Sequence, residues 1–208
     1  MRPRLALVLL LLLLFMAGAA AGLYAAGRPS PEAPARASSV PSPPSSALPS
    51  ARPSGFEAAF QSLDLIKPPR QKAADDFALP TPTSATFRLS EQRGKIVMIN
   101  FWATWCPPCL EEMPAMERLW RRHRDRGFVL VAISLDADPK VVPPFLAQHK
   151  FTFPVALDRR MEIAERYGVR VLPSSVFVDK DGGLAALALG PRAWDNQASH
   201  TLVDGLVR

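Results

Sequence analysis

The chain has 208 residues and a formal net charge of +6, from 25 lysines and arginines against 19 acidic residues. Residues 1–55 hold five arginines and one glutamate, which leaves 20 basic and 18 acidic residues in 56–208. Because the part of the chain able to fold is close to neutral, we exclude nucleic-acid binding through a basic surface.

The N-terminus, residues 1–26, begins with a short basic head and continues as an apolar run over residues 5–26. This pattern is typical of an export signal or a signal anchor. The run reaches the ~20 residues needed to span a bilayer, and Arg2 and Arg4 would stay on the cytoplasmic side. A cleaved signal peptide and a retained anchor both fit, and we favour the anchor. Either one predicts a periplasmic location for the rest of the chain, tethered to the inner membrane if the segment is retained.

Residues 27–54 are almost entirely Pro, Ser, Ala and Arg, which predicts an extended linker with no core of its own. Residues 55–75 form an N-terminal extension, in which Phe56, Phe60 and Leu63 have the spacing of one helical face. That spacing alone leaves the structure of the extension open.

From residue 76 to residue 208, apolar runs of strand length alternate with segments of helical periodicity. Asp-Gly within residues 180–183 is a strong hairpin signal between the last two strands. Strands alternating with helices, then a hairpin and a final helix, predict a three-layer α/β domain with a mixed central sheet. The predicted strands are 95–101, 128–135, 153–157, 175–178 and 184–189, and the predicted helices are 107–127, 142–150, 160–167 and 195–207.

Cys106 and Cys109 are the only cysteines, and they stand where a buried strand gives way to a helix. A disulfide across two residues closes almost no loop, so it would hardly restrict the unfolded chain, and a redox role explains the pair better. A helix N-terminus stabilises a thiolate through its free N–H groups. Zinc fits poorly because a second cysteine pair is absent. Covalent haem is excluded because Leu110 rather than His follows Cys109. We therefore expect no cofactor and no metal.

The segment Trp-Cys-Pro-Pro-Cys at 105–109, with the Leu-Pro pair at 172–173, resembles the TlpA/ResA-like thiol-disulfide oxidoreductases of bacterial envelopes, which have the thioredoxin fold. The resemblance covers about residues 76–208. The segments that carry it are 87–95, 100–114, 151–158, 167–169 and 172–179.

The resemblance implies that Cys106 is the attacking thiol, exposed at the helix start and with a lowered pKa. Cys109, one turn further and more buried, would resolve the mixed disulfide. Pro173 matches the family's cis-proline, which faces the two sulfurs.

Three further residues are expected to contact the client protein. A cis bond at Pro173 would place the Leu172 backbone where a client strand can pair with it. Pro107 and Trp105 are expected to border the same surface. Trp105 is expected in the wall of the site or in the core, and it could also shield the sulfurs. Trp102 is expected in wall or core as well.

Thioredoxins keep a buried aspartate at the position of Asn100, and an amide cannot accept a proton at useful pH. Glu112, three residues after Cys109, is on the same side of the helix. The family is known for a glutamate at this place, which implies that Glu112 deprotonates Cys109. The alternative is an ordinary acidic residue in the first turns of a helix.

The resemblance implies an envelope enzyme that reduces disulfides in exported clients, such as apocytochrome c or copper-site proteins, and takes electrons from a membrane donor. Residues 168–174 lack the stretch typical of some cytochrome c maturation members, so the client stays open. Peroxidase activity fits poorly, because peroxiredoxins lack the Cys-Pro-Pro-Cys pair. A different class of function, a metallochaperone that holds Cu(I) with Cys106 and Cys109, is the alternative.

Overall fold

The structure is a computed structural model that describes residues 55–68 and 72–208. The expectations for residues 1–26 and 27–54 lie outside the described residues and stay predictions. Within the described part of the chain, no helix has both the length and the apolar character needed to cross a membrane.

The helices and strands follow one another as α1 (Gly55–Ser62), β1 (Ala78–Pro80), β2 (Thr86–Arg88), β3 (Ile96–Trp102), α2 (Pro107–His123), β4 (Phe128–Ser134), α3 (Val142–His149), β5 (Val155–Leu157), α4 (Glu162–Arg166), β6 (Ser174–Val178), β7 (Leu184–Leu189) and α5 (Gln197–Val207). Short 3-10 turns occur at 90–92, 124–126 and 139–141.

Five strands form the central sheet in the order β5-β4-β3-β6-β7. The β3–β4 and β4–β5 pairs are parallel, whereas β3–β6 and β6–β7 are antiparallel. The central strands β3 and β4 are buried along their whole length, as expected for continuous apolar runs covered on both faces. The mixed sheet predicted from the sequence is therefore confirmed.

Alternate residues of β3 point to two separate cores. Ile96 and Met98 pack with residues of α1, α2, α3 and α5 on one face of the sheet. Val97 and Ile99 pack on the other face with residues of α4 and of the β1–β2 hairpin. Successive side chains of a strand point to opposite faces, so this single run serves both layers. The three-layer architecture is the predicted one.

Several predicted elements are shorter than expected, and one pair of strands was missed. The predicted helix 107–127 ends at His123, and the predicted helix 195–207 begins only at Gln197. The predicted strand 153–157 begins only at Val155, and the predicted helix 160–167 is reduced to Glu162–Arg166. The hairpin of β1 and β2 was not predicted, because strands of three residues are too short to show an alternating pattern.

The extension before residue 76 is part of the fold. Helix α1 buries Ala59 and Phe60 in the core that also contains α2 and α5 residues. The chain then follows β7, where Ile66 and Leu187 exchange backbone hydrogen bonds of 2.8 and 2.9 Å. An unpaired sheet edge is a template for association with other chains, so this segment covers part of the β7 edge.

Candidate active site

Both cysteines are placed by the junction between β3 and α2. Cys106 has extended backbone angles directly before α2, and Pro107 and Pro108 open that helix, where a missing N–H costs no hydrogen bond. The backbone N–H of Cys109 donates to the Cys106 carbonyl at 3.0 Å. Cys106 and Cys109 are joined by a disulfide with an S–S distance of 2.04 Å. After reduction, the positive end of the α2 dipole would stabilise a Cys106 thiolate.

The expected burial of the two cysteines is only half right. Cys109 is fully buried and Cys106 is 5% exposed, so the expected order holds, but the expectation of an exposed Cys106 is wrong. In the disulfide form Cys106 belongs to the same apolar core cluster as Cys109 and Met113. Cys106 nevertheless lines an open cleft, through which a reaction partner can reach it.

The cleft beside Cys106 has a volume of about 540 Å³ and a largely apolar lining. The three residues expected to contact a client, Trp105, Pro107 and Leu172, all line it, and the Leu172–Pro173 peptide bond is cis. Trp105 is 67% exposed and forms wall rather than core, whereas Trp102 is fully buried in the core. The other lining residues are Pro108, Leu135, Met161, Ala164, Glu165, Val169, Arg170 and Val171.

Glu112 is buried on α2, one turn after Cys109, and three donors surround its carboxylate. Asn100 Nδ2 donates to Oε1 at 2.8 Å. The backbone N–H of Arg192 and the Nε1–H of Trp194 donate to Oε2 at 3.0 and 2.9 Å. Burial raises the pKa of Glu112 from 4.5 to about 7, although the three hydrogen bonds and the Arg192 charge act in the opposite direction. The carboxyl group therefore exchanges its proton near neutral pH.

Asn100 connects the three elements β3, α2 and β6 through its side-chain amide. From β3 its amide nitrogen donates to Glu112 on α2 and, at 3.0 Å, to Ser175 Oγ on β6. Its Oδ1 is buried and accepts no hydrogen bond from the part of the chain that the structure describes. The residue therefore orients Glu112 instead of taking up a proton itself.

Sequence reasoning missed Arg192 and Trp194, which contact Glu112 across 80 and 82 residues of chain. No motif surrounds them, and only a buried carboxylate that needs donors would have prompted a search for them.

Asp136 was missed as well. Its carboxylate accepts from Thr104 N and Thr104 Oγ1, the latter at 2.7 Å, and from Ser134 Oγ at 2.8 Å. It thereby ties the loop before Cys106 to the end of β4. An aspartate directly after a buried strand was the available signal.

Over residues 55–68 and 72–208, no three or more His, Cys, Asp or Glu side chains are grouped so that they could hold a metal ion.

The fold and this site define a class: a thioredoxin-fold protein with a cysteine pair at a helix N-terminus, open to a cleft. The family model described as AhpC/TSA family matches residues 70–187. Thiol-disulfide oxidoreductase ResA of Oceanobacillus iheyensis is 37% identical over 127 residues, which are 59% of this chain and 66% of the relative. ResA of Bacillus thuringiensis subsp. konkukian is 39% identical over 111 residues, or 53% of this chain and 64% of the relative.

A crystal structure described as a thiol:disulfide interchange protein DsbE from Chlorobium tepidum is similar, with a TM-score of 0.63 and 33% identity. The match covers 67% of this chain and 99% of that one. The matched region spans slightly less than two thirds of the two curated relatives. The chain belongs to the AhpC/TSA family and is a ResA-like member of it, which confirms the resemblance found in the sequence.

Proposed function

We propose that the chain is a thiol-disulfide oxidoreductase that reduces disulfides in exported client proteins. The observation that carries this proposal is the Cys106–Cys109 pair at the start of α2, beside an open apolar cleft. The names of its curated relatives, thiol-disulfide oxidoreductases, support the same reaction.

In the reaction, the Cys106 thiolate attacks one sulfur of a client disulfide. The other client sulfur leaves as a thiolate, takes a proton, and a mixed disulfide remains. The Cys109 thiolate then attacks Cys106 Sγ and releases the second client sulfur. Two electrons have passed to the client, and the Cys106–Cys109 disulfide has formed. A membrane electron donor with its own dithiol would return the pair to the reduced state.

Glu112 takes the proton of Cys109 in the second step of this proposal. Its pKa of about 7 supports the role, because a general base works best when its pKa is near the operating pH. Its position three residues after Cys109 puts the two side chains on neighbouring sites of α2. The three donors around the carboxylate hold it in place and stabilise it when Cys109 is protonated.

The apolar lining of the cleft favours a client segment that carries apolar side chains next to its cysteine. Trp105, Met161 and Val171 expose large apolar surfaces there, and Leu172 lines the same cleft, which supports backbone pairing between Leu172 and an extended client segment. Apocytochrome c and proteins with copper-site cysteines are clients of this chemistry. The expected location, on the periplasmic side and tethered by residues 5–26 or released after cleavage, suits such clients.

The test is the reduction potential of the cysteine pair, measured together with a Cu(I) titration of the reduced protein. We expect a potential well below the ~−120 mV of the strong oxidant DsbA, and turnover of a protein disulfide by the reduced form. A potential at or above that value would reverse the proposed direction.

The Cu(I) titration separates the enzyme from the metallochaperone. Thiolates are soft ligands that favour Cu(I), so both cysteines suit either function. Tight stoichiometric Cu(I) binding that is lost in Cys106→Ser and Cys109→Ser, without reduction of any protein disulfide, would favour the metallochaperone.

A further inference from the structure

The side chain of Arg192, which lies outside the cysteine motif, is largely buried and makes many hydrogen bonds. Only 16% of it is exposed, and all three guanidinium nitrogens donate. Nε donates to the Leu63 carbonyl at 2.6 Å, and Nη2 donates to the carbonyl and carboxylate of Asp64 at 3.1 and 3.2 Å. Nη1 donates to the carbonyls of Leu189, Gly190 and Pro191.

These contacts join two segments that are far apart in sequence. Leu63 and Asp64 directly follow α1, whereas residues 189–191 lead from the end of β7 into the loop that carries Arg192. Because the Asp64 carboxylate is almost fully exposed, its ion pair contributes little. The two segments are held together chiefly because one rigid guanidinium donates hydrogen bonds to backbone carbonyls of both.

The same loop supplies two of the three donors to Glu112. They are the backbone N–H of Arg192 and the indole N–H of Trp194, at 3.0 and 2.9 Å from Oε2. Trp194 is fully buried and packs against Phe177 of β6, with ring centroids 5.8 Å apart. The third donor, Asn100, is held independently on β3.

We propose that Arg192 is a positioning residue, whose guanidinium fastens the 190–194 loop to the end of α1 so that the loop presents both of its N–H donors to the Glu112 carboxylate. This inference rests on the proposed function, in which Glu112 is the proton acceptor of Cys109. Through Arg192, the end of α1 would then influence the protonation of Glu112, although no residue of α1 lines the cleft at Cys106.

The physical argument concerns a buried charge. A carboxylate out of water stays ionised only where hydrogen bonds replace its hydration. Pro191 has no N–H, and the only backbone–backbone hydrogen bond that ties residues 190–194 to another described segment is that of the Gly190 N–H to the Pro173 carbonyl, at 2.9 Å. Without the guanidinium, only the Gly190 hydrogen bond and the packing of Trp194 hold the loop, so its two donors lie less firmly against the Glu112 carboxylate while β3 and α2 still enclose it. The ionised form then loses more stabilisation than the neutral form.

The test follows the titration of Glu112 itself, by carbon-13 NMR of the side-chain carboxyl in the oxidised full-length protein. We compare Arg192→Met, Arg192→Lys and the control Arg118→Met. The control removes a guanidinium that pairs with Asp195, next to Trp194, without touching any partner of Glu112. Arg192→Lys keeps the charge but loses the planar fork.

We expect both Arg192 variants to raise the measured pKa of Glu112 by about one pH unit, and the control to leave it unchanged. An unchanged or lower pKa in the Arg192 variants overturns the proposal and makes Arg192 a structural contact of α1. A pKa restored by Arg192→Lys also overturns it, because charge alone would then suffice. If circular dichroism shows that Arg192→Met does not fold, the comparison of Arg192→Lys with the parent is the test.

The titration needs no client and no reduction step, so it is independent of the proposed function. If the pKa of Glu112 responds as expected while the parent protein reduces no disulfide, the positioning role stands and the proposed function fails. If the parent is active, the Arg192 variants should also shift the pH profile of disulfide reduction upward, which a purely structural contact would not do.

Discussion

At the scale of single residues, Glu112 is subject to two opposed effects. Burial favours the neutral acid, while Asn100, Arg192 and Trp194 supply hydrogen bonds that favour the carboxylate. Either effect alone would move the pKa far from neutrality: burial upward by several units, and two or three donors downward. Their balance at about 7 is what makes this side chain able both to take and to release a proton under ordinary conditions.

We predict that Glu112→Gln keeps its fold and loses disulfide reduction at neutral pH by roughly a hundredfold, because a general base typically contributes at least that much. The Asn100 Oδ1 atom, buried and without a donor in the described ranges, lets the new amide be accommodated by a rotated Asn100 side chain. Steady-state reduction and the titration of the Cys109 thiol are the measurements.

Glu111→Gln is the matched control, because Glu111 is the neighbouring residue on α2 and is exposed. It should reduce disulfides at the parent rate. Unchanged rates and thiol titration in Glu112→Gln would make Glu112 an ordinary charge near the helix N-terminus.

At the scale of elements, the packing of α1 on α5 depends on a missing side chain. A Cβ at Gly205 of α5 would lie 2.4 Å from Cδ2 of Phe56 in α1, closer than real Cβ contacts come. Glycine inside a helix ordinarily costs about 1 kcal/mol relative to alanine. Its presence in α5 is therefore explained by the close approach of α1.

We predict that Gly205→Ala lowers the free energy of unfolding by about 1 kcal/mol, because overpacking costs about 1–3 kcal/mol and exceeds the gain in helix propensity. Urea denaturation measures the change. In a Phe56→Leu background the same substitution should become neutral or stabilising, since the ring is gone. Stabilisation of the parent protein by Gly205→Ala would show that α1 does not pack on α5 as described.

The elements also show what the sequence alone can and cannot predict. The end of strand β3 and the start of helix α2, between which the cysteine loop lies, were predicted to within one residue. A continuous apolar run and a proline pair are local signals, so the sequence shows both. The cysteine pair and Glu112 lie on this same short stretch, so the resemblance could identify them. Arg192 and Trp194 reach the site only through tertiary packing, which local patterns do not show. Asp136 offers one local signal, its place directly after a buried strand, and that signal does not reveal its contact with Thr104.

At the scale of the whole molecule, the proton of Glu112 couples the site to stability. Its pKa is 4.5 in the unfolded chain and about 7 in the folded one, so between these values the folded state binds more protons. The contribution of Glu112 to stability is therefore greatest below about pH 4.5, falls as the pH rises to about 7, and is constant above that.

We predict that the free energy of unfolding of the oxidised parent falls by about 3 kcal/mol relative to that of Glu112→Gln between about pH 4.5 and pH 7.5. Urea denaturation of both proteins across this window measures the difference, and Glu111→Gln should follow the parent. A pH-independent difference between the parent and Glu112→Gln would contradict the raised pKa.

The central claim, that Cys106 attacks client disulfides and Cys109 resolves the product, is tested most directly by trapping. Cys109→Ser should accumulate mixed disulfides between Cys106 and client proteins, because the resolving thiol is gone, and mass spectrometry should locate the bond at Cys106. Cys106→Ser should trap none, since Cys109 is fully buried and does not line the cleft. Equal trapping by the two variants, or trapping by Cys106→Ser alone, would contradict the account.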